Sequence, residues 1–145
     1  MVAEEAKQWD EAERCYRQAV RIREQIRDLP NLAASFNQLA RVAQGAGRLE
    51  DAERWYLRAI ELDEKLGNQE GVAKDYSNLA DLYLTLRRLD EAERYARRAV
   101  EIVETHQVQT EVWKFYNILA QIADARGKHA EAVQWRRKPQ DSFAA

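Results

Sequence analysis

Two histidines, one cysteine and many carboxylates are the residues of this sequence that could carry out chemistry. His106 and His129 could transfer protons or bind a metal ion, whereas the single Cys15 cannot close a disulfide within the chain. An enzyme needs several such groups to converge on one point. Neither histidine has a partner at metal-ligand spacing, and both are expected to be solvated surface residues. No Asp or Glu pair is distinguished by its surroundings. The sequence therefore predicts a protein that is not an enzyme, with no catalytic residue, no metal site and no cofactor.

A local group of arginines is the second candidate, because guanidinium groups bind the phosphates of RNA. Glutamates three or four residues away oppose this charge by pairing along the same helix. The whole chain has 23 Lys and Arg against 25 Asp and Glu, a net charge of -2. We therefore expect no nucleic-acid partner and no anionic membrane partner. The arginines are Arg87, Arg88, Arg94, Arg97 and Arg98, and the glutamates are Glu91, Glu93, Glu101 and Glu104.

The elements that position these residues follow from an internal repeat, which returns at a 40-residue step. The sequence 10–14 (DEAER) returns at 50–54 (EDAER) and 90–94 (DEAER), and weakly at 130–134. A second block, an aromatic followed by Leu and Ala, keeps the same step at Phe36, Tyr76 and Tyr116. A fixed period of this length is typical of repeat architectures, in which each unit is one small group of elements.

Each repeat unit is predicted to be a helix A, a short turn and a helix B. Five Gly and two Pro in 145 residues favour helices throughout, and Gly near 45–48 and 126–128 suits the turns. Pro30 suits a first helical turn, and Gly67 suits the position after a helix end. The predicted helices are about 10–28, 31–45, 49–66, 70–86, 90–105, 109–126 and 130–137.

Small and aromatic residues recur where the helices of a repeat must pack. Alanines would let the two helix axes approach closely, and rings would fill the space between neighbouring units. We expect core positions here because periodic apolar residues are what a helical repeat protein requires. The alanines are Ala12, Ala40, Ala52, Ala80, Ala92, Ala120 and Ala132; the rings are Tyr16, Phe36, Tyr56, Tyr76 and Tyr116; and Cys15, Trp55, Tyr95 and Trp135 form a further packing column.

These residues resemble the motif of tetratricopeptide repeats (TPR). Tyr76, Leu79, Ala80 and Tyr83 on helix A, followed by small residues on helix B, match that motif well. The period of 40 exceeds the family's common 34 and is similar to the extended repeats of kinesin light chain and of bacterial signalling proteins. The resemblance implies an all-α, right-handed superhelical solenoid of antiparallel helix pairs, with about seven helices. Its units would be about 1–28 (partial), 29–68, 69–108 and 109–138.

The resemblance also implies a function and a site. It implies a non-catalytic protein–protein interaction module, in which helix A lines a concave groove that binds a peptide or protein segment. Ala34 and Ile118 fall on the same face as the polar positions. Amide side chains in such a column could bind a peptide backbone of any sequence. The groove positions are Asn37, Gln38, Arg41, Lys74, Ser77, Asn78, Asp81, Lys114, Asn117 and Gln121.

A two-carboxylate clamp, by which some TPR proteins grip an acidic chaperone tail, is incomplete here. Asn78 and Lys114 match the clamp, but Asn37 and Arg41 stand where it has Lys and then Asn. Ile118 replaces its last basic residue and removes a guanidinium fork.

The alternative function is a structural segment of a longer repeat array that self-associates through exposed end helices. Ala12 already belongs to a helix B, so residues 1–8 would supply the last turns of a helix A. Pro139 would end the last helix and leave 139–145 irregular. The lone cysteine, the absence of an apolar run long enough to span a bilayer and the acidic N-terminus predict a cytoplasmic protein.

Overall fold

The computed structural model describes residues 3–108 and 111–138, and over these ranges the chain is entirely helical apart from its turns. The repeating pair of helices predicted from the 40-residue step is confirmed, and no strand occurs in the ranges described. The helices are α1 (Ala3–Ile26), α2 (Leu29–Gly45), α3 (Leu49–Leu66), α4 (Gln69–Thr85), α5 (Leu89–His106), α6 (Trp113–Ala125) and α7 (His129–Arg137).

The chain divides into two compact units. Unit 1 is Met1–Asn68 and contains α1, α2 and α3; unit 2 is Gln69–Ala145 and contains α4 to α7. In unit 1, α2 packs along α3 and also against α1. In unit 2, α4 packs along α5 and α6 along α7, while α6 also contacts α5 and α4. Helices α2, α4 and α6 are therefore the A helices, and α1, α3, α5 and α7 are the B helices.

Each of the six turns between the helices places one of its described residues in the left-handed region. These residues have positive φ angles, which glycine adopts without steric cost and other residues adopt at a cost. Three of the six are not glycine. The residues are Arg27 (φ 56°), Gly47 (82°), Gly67 (69°), Arg87 (61°), Gln107 (47°) and Gly127 (78°).

Most predicted boundaries agree with the structure, but the first helix does not. Helix α1 begins at Ala3, where a separate helix A and a turn were expected before residue 10. Its first turns contain Ala, Glu, Lys and Gln, which are strong helix formers, so the chain continues one helix instead of making a turn. Pro30 lies in the first turn of α2, and Gly67 caps the end of α3, both as expected. The predicted start of α6 at 109 and the tail 139–145 include residues outside those described.

The small and aromatic columns form the core, except at the N-terminal end. Ala40, Ala52, Ala80, Ala92, Ala120 and Ala132 are completely buried. The rings of Phe36, Tyr56, Tyr76 and Tyr116 are at most 5% exposed. On α1 the equivalent residues are less covered: Ala12 and Tyr16 are half-buried, and Cys15, expected to be a packing position, is exposed.

Candidate functional site

The polar residues predicted to line the groove lie on the A helices, between residues that are buried. On α2, Phe36, Leu39 and Ala40 face the core, while Gln38 and Arg41 are exposed. Asn37 of α2 is half-buried. On α4 and α6 the same spacing leaves Lys74, Asp81, Lys114 and Gln121 exposed and Ser77, Asn78 and Asn117 half-buried. Ile118 does not belong to this surface, because its side chain is only 6% exposed and packs into the core.

In unit 2 the two A helices lie side by side and border an open cleft of about 470 Å³. Two of the predicted residues, Asp81 on α4 and Gln121 on α6, line this cleft. The remaining lining residues are Leu84, Thr85, Arg87, Asp124 and Ala125. The structure thus brings part of the predicted site together on one surface, at the C-terminal ends of α4 and α6.

The lysines of this surface are paired with carboxylates close to them in the sequence. The ammonium nitrogen of Lys74 lies 3.0 Å from a carboxylate oxygen of Glu70, and Lys114 contacts Glu111 in the same way. Both lysines remain more than half exposed. Exposed pairs of this kind contribute at most about 1 kcal/mol, so a ligand carboxylate could replace the glutamate at little cost.

Asp124 organises the end of the cleft, and sequence reasoning did not identify this role. Its carboxylate accepts a hydrogen bond from Arg136 at 2.7 Å and contacts Nδ1 of His129 at 2.9 Å. These two contacts, His129 first, hold the pKa of Asp124 below its usual value. His129 is the first residue of α7 and is 74% exposed, so the expected solvated histidine is also an aspartate partner.

Asn117 borders a second, smaller cavity of about 50 Å³ in unit 2, together with Trp113, Tyr116, Trp135 and Lys138. The Tyr116 ring stacks on Trp135 with ring centres 5.9 Å apart. Burial, together with the nearby Glu104 carboxylate, raises the pKa of the Tyr116 phenol. Tyr116 is therefore neutral at physiological pH, and Asn117 is an amide of α6 that lies beside an aromatic wall.

In unit 1, α2 presents a related but different surface. Arg41 stands at the repeat position of Asp81 and Gln121, and Gln44 stands at the position of Asp124. The Gln44 side chain accepts a hydrogen bond of 3.0 Å from the Tyr56 hydroxyl. This face of unit 1 is therefore not acidic where the cleft of unit 2 is.

Two searches of the described residues bear on other classes of function. Within 3–108 and 111–138, no group of three or more His, Cys, Asp or Glu side chains is placed to hold a metal ion. No helix in the same ranges is long and apolar enough to cross a membrane.

Comparisons with known proteins were made over the whole sequence. The family model described as the MalT-like TPR region matches residues 2–142. BtubC (BKLC) from P. vanneervenii has a similar structure, with a TM-score of 0.75 and 24% identity over 95% of this chain and 59% of that one. The nearly identical TPR-like repeats of a kinesin-light-chain-like protein from Podosopora anserina give a TM-score of 0.73 and 24% identity, covering 89% of this chain and 64% of theirs. This chain thus spans about six tenths of the length of these solved structures. No curated protein matches it.

Proposed function

We propose that this chain, which belongs to the family of MalT-like TPR regions, is a non-catalytic module that binds a peptide or protein segment along its A helices. TPR repeats generally serve protein interaction, and the solved relatives share the extended helix pair. The binding surface would be the polar face of α4 and α6 in unit 2, with the corresponding face of α2 in unit 1.

One observation carries this proposal: the predicted groove positions of α4 and α6 stay partly or fully exposed on one face of these helices. The buried neighbours Leu79, Ala80, Leu119 and Ala120 fill the core. Two of the polar residues, Asp81 and Gln121, border an open cleft. An extended peptide needs both donors and acceptors, and this face presents both.

The chemistry of the surface suits a segment recognised mainly through its backbone. The side-chain amides of Asn78, Asn117 and Gln121 each offer a donor and an acceptor. Lys74 and Lys114 can add charge-assisted contacts to acidic side chains of the partner. The two-carboxylate clamp of other TPR proteins is incomplete in this chain, so the proposed binding does not depend on the terminal carboxylate of the partner.

A peptide-array or pulldown screen with the intact protein tests the proposal. Changing Asn37, Asn78 and Asn117 together to Ala should abolish capture of the selected peptides. The control changes two exposed amides of α1, Gln8 and Gln25, to Ala and should leave capture unchanged. Equal capture by the wild type and the asparagine variant would show that the A-helix face is not the binding surface.

Self-association through α1 is the second candidate, because α1 exposes an apolar face. Ile22 and Ile26 are 49% and 66% exposed and lie one turn apart on this helix. Light scattering over a wide concentration range should show a dimer that Ile22→Gln with Ile26→Gln converts to a monomer. Leu57→Gln, which changes an apolar residue of α3 that is 43% exposed, is the control. A wild-type protein that stays monomeric at high concentration would eliminate this candidate.

A further inference from the structure

The B helices carry a cationic band that the proposed peptide surface does not use. We define the cationic band by three positions per B helix, which recur at the 40-residue step. Nine of these twelve residues are Lys or Arg and none is acidic, although the chain as a whole has a net charge of -2. The positions are Arg14, Arg17 and Gln18; Arg54, Leu57 and Arg58; Arg94, Arg97 and Arg98; and Gln134, Arg137 and Lys138.

The cationic band lies on the solvent-facing side of the B helices. On α3, Ala52, Tyr56 and Ala59 are buried, whereas Arg54 and Arg58 are exposed. With about 3.6 residues per turn, residues 54 and 58 point roughly opposite to residues 52, 56 and 59. The same alternation holds on α5, where Ala92, Ala96 and Ala99 are buried and the three arginines are exposed.

Aromatic rings hold the cations of the band in place. In unit 1, Arg58 lies 4.5 Å from the centre of the Phe36 ring and 5.2 Å from that of Trp55, and Arg17 lies 5.4 Å from Trp55. In unit 2, Arg98 lies 4.8 Å from the Tyr76 ring. A guanidinium held beside a ring loses part of its side-chain freedom while its charge stays exposed to solvent. Less conformational entropy is therefore lost when a ligand binds to it.

Trp135 in unit 2 is a further ring of the band with two cations near it. Arg97 lies 5.9 Å and Lys138 lies 5.2 Å from its centre. Lys138 also lies 5.1 Å from the Tyr116 ring. The arrangement of Trp55 between Arg17 and Arg58 thus recurs at the equivalent position two repeats further along the chain.

The cations of the band differ in whether the protein neutralises them. Arg17, Arg54 and Arg97 each pair with a carboxylate of their own helix, Arg97 also contacts Glu131, and Lys138 contacts Glu104. The described part of the chain offers no ion-pair partner to Arg58 or Arg98, although both are exposed. A charged group that lies beside a ring, is exposed and has no counter-ion is a site for an external anion.

The geometry points to an acidic protein segment as the occupant of the cationic band, and not to a nucleic acid. The band is only about 6 Å tall along each helix, from residue 54 to residue 58 at a rise of about 1.5 Å. Carboxylates border it on both sides, at Glu50 and Asp90 in the first turns of α3 and α5 and at Glu61 and Glu101 one turn after the band. Within a unit, a narrow row of carboxylates on a peptide can follow such a band without approaching these acidic borders, whereas a broad polyanion meets them.

The aromatic rings of the band also disfavour nucleic acid. Bases bind single-strand sites by stacking on free ring faces. Here Trp55 is stacked on Phe36 at 5.7 Å, Tyr95 on Tyr76 at 5.5 Å, and Trp135 on Tyr116 at 5.9 Å. Cations also lie within about 6 Å of each of these ring centres, so less ring surface is available to a base.

Fluorescence polarisation with the full chain tests this assignment. The probes are a labelled glutamate–glycine peptide and a single-stranded RNA of equal charge, each titrated at low and at physiological salt. The peptide should bind, and Arg58→Gln with Arg98→Gln should weaken its binding roughly fivefold or more. The comparison variant Lys74→Gln with Lys114→Gln removes the same charge from the A helices and should weaken binding of this peptide less than the arginine variant does. Circular dichroism melts confirm that both double variants stay folded.

Several outcomes would overturn the assignment. One is an equal loss in both double variants, which would mean that charge acts without a defined site. Another is a loss confined to the lysine variant, which would place the acidic peptide on the A helices. Tighter binding of the RNA than of the peptide, with loss in the arginine variant, would make the band a nucleic-acid surface. Absence of peptide binding at low salt would also overturn the assignment of an acidic segment to the band. Because the lysine variant reports separately on the A-helix face, failure of this inference is distinguishable from failure of the proposed function.

Discussion

Units 1 and 2 share their apolar residues but differ in their polar contacts. In both, a ring on helix A stacks on a ring of the helix B that follows it: Phe36 on Trp55, and Tyr76 on Tyr95. The carboxylates that link the helices recur at equivalent positions, but the arginine that pairs with them does not. Unit 1 joins α1 to the turn before α3 through Arg48, which contacts Asp10 and Glu13. Unit 2 links α5 to the turn before α7 through Arg126, which sits slightly earlier in the repeat and contacts Asp90 and Glu93.

This difference separates the residues that define the fold from those available for other roles. The buried alanines, leucines and rings must be kept in every unit because they set the distance between helices. A polar residue can change if another residue supplies an equivalent contact, as Arg126 does in unit 2. The residues proposed to bind a partner belong to this second, variable group.

The largest expected effect is on the shared core. Leu39→Ala in unit 1 and Leu79→Ala in unit 2 each remove a side chain that is at most 1% exposed. Each should lower the free energy of unfolding by about 2–5 kcal/mol, and the two losses should be similar. Leu57→Ala, at an exposed position, should cost less than about 0.5 kcal/mol. Urea denaturation measures all three, and a large loss in one unit with a negligible loss in the other would refute the shared core.

A smaller effect is expected at the left-handed turn residues. A side chain at Gly47 or Gly127 would meet no atom within 4 Å, so any cost comes from the backbone alone. Gly47→Ala should therefore lower stability by about 1 kcal/mol. Arg87→Gly, at the equivalent turn of unit 2, should raise stability by less than about 1 kcal/mol, since glycine also makes the unfolded chain more flexible. Thermal melts would contradict this account if both changes had the same sign.

The smallest expected effect is a pH dependence of the stability that comes from Asp124 in unit 2. His129 and Arg136 hold the pKa of Asp124 below its usual 3.8, so this carboxylate stabilises the fold above that pH. The contribution disappears as the pH falls through the lowered pKa. The difference in stability between the wild type and Asp124→Asn should therefore shrink between pH 6 and pH 3. Gln44→Glu, at the equivalent position of unit 1, provides the comparison, and a difference for Asp124→Asn that stays constant with pH would contradict the assignment.

The sequence predicted most of the helices because a fixed period fixes many boundaries together. Because Ala52 and Ala92 are 40 residues apart, the positions of the turns in one repeat predict those in the next. The start of α1 could not be obtained in this way. Residues 3–8 have helix-forming composition, and no Gly or Pro marks a turn before Ala12. Arg87 and Gln107 were also missed as left-handed residues, because their side chains give no local sign of positive φ.

The candidate surfaces were predictable only in part. The exposure of Gln38, Lys74 and Gln121 follows from helical spacing, since the residues beside them are apolar. The contact of Arg17 with Trp55 joins different helices, so it depends on how α1 packs and not on a local pattern. The role of Asp124 likewise requires α7 to bring Arg136 alongside it. Counting charges in the sequence predicted that nearby glutamates offset Arg94, Arg97 and Arg98. In the structure, Arg98, like Arg58 on α3, has no acidic partner among the described residues.

The most direct test of the proposed binding surface is a ¹H–¹⁵N NMR titration of the intact protein with a peptide selected on the array. The side-chain amide resonances of Asn78, Asn117 and Gln121 should shift on binding, together with backbone amides of α4 and α6. Those of Gln8 and Gln25 on α1 should stay in place. Shifts restricted to the B helices, or to α1 around Ile22 and Ile26, would contradict the proposal that the A helices bind the partner.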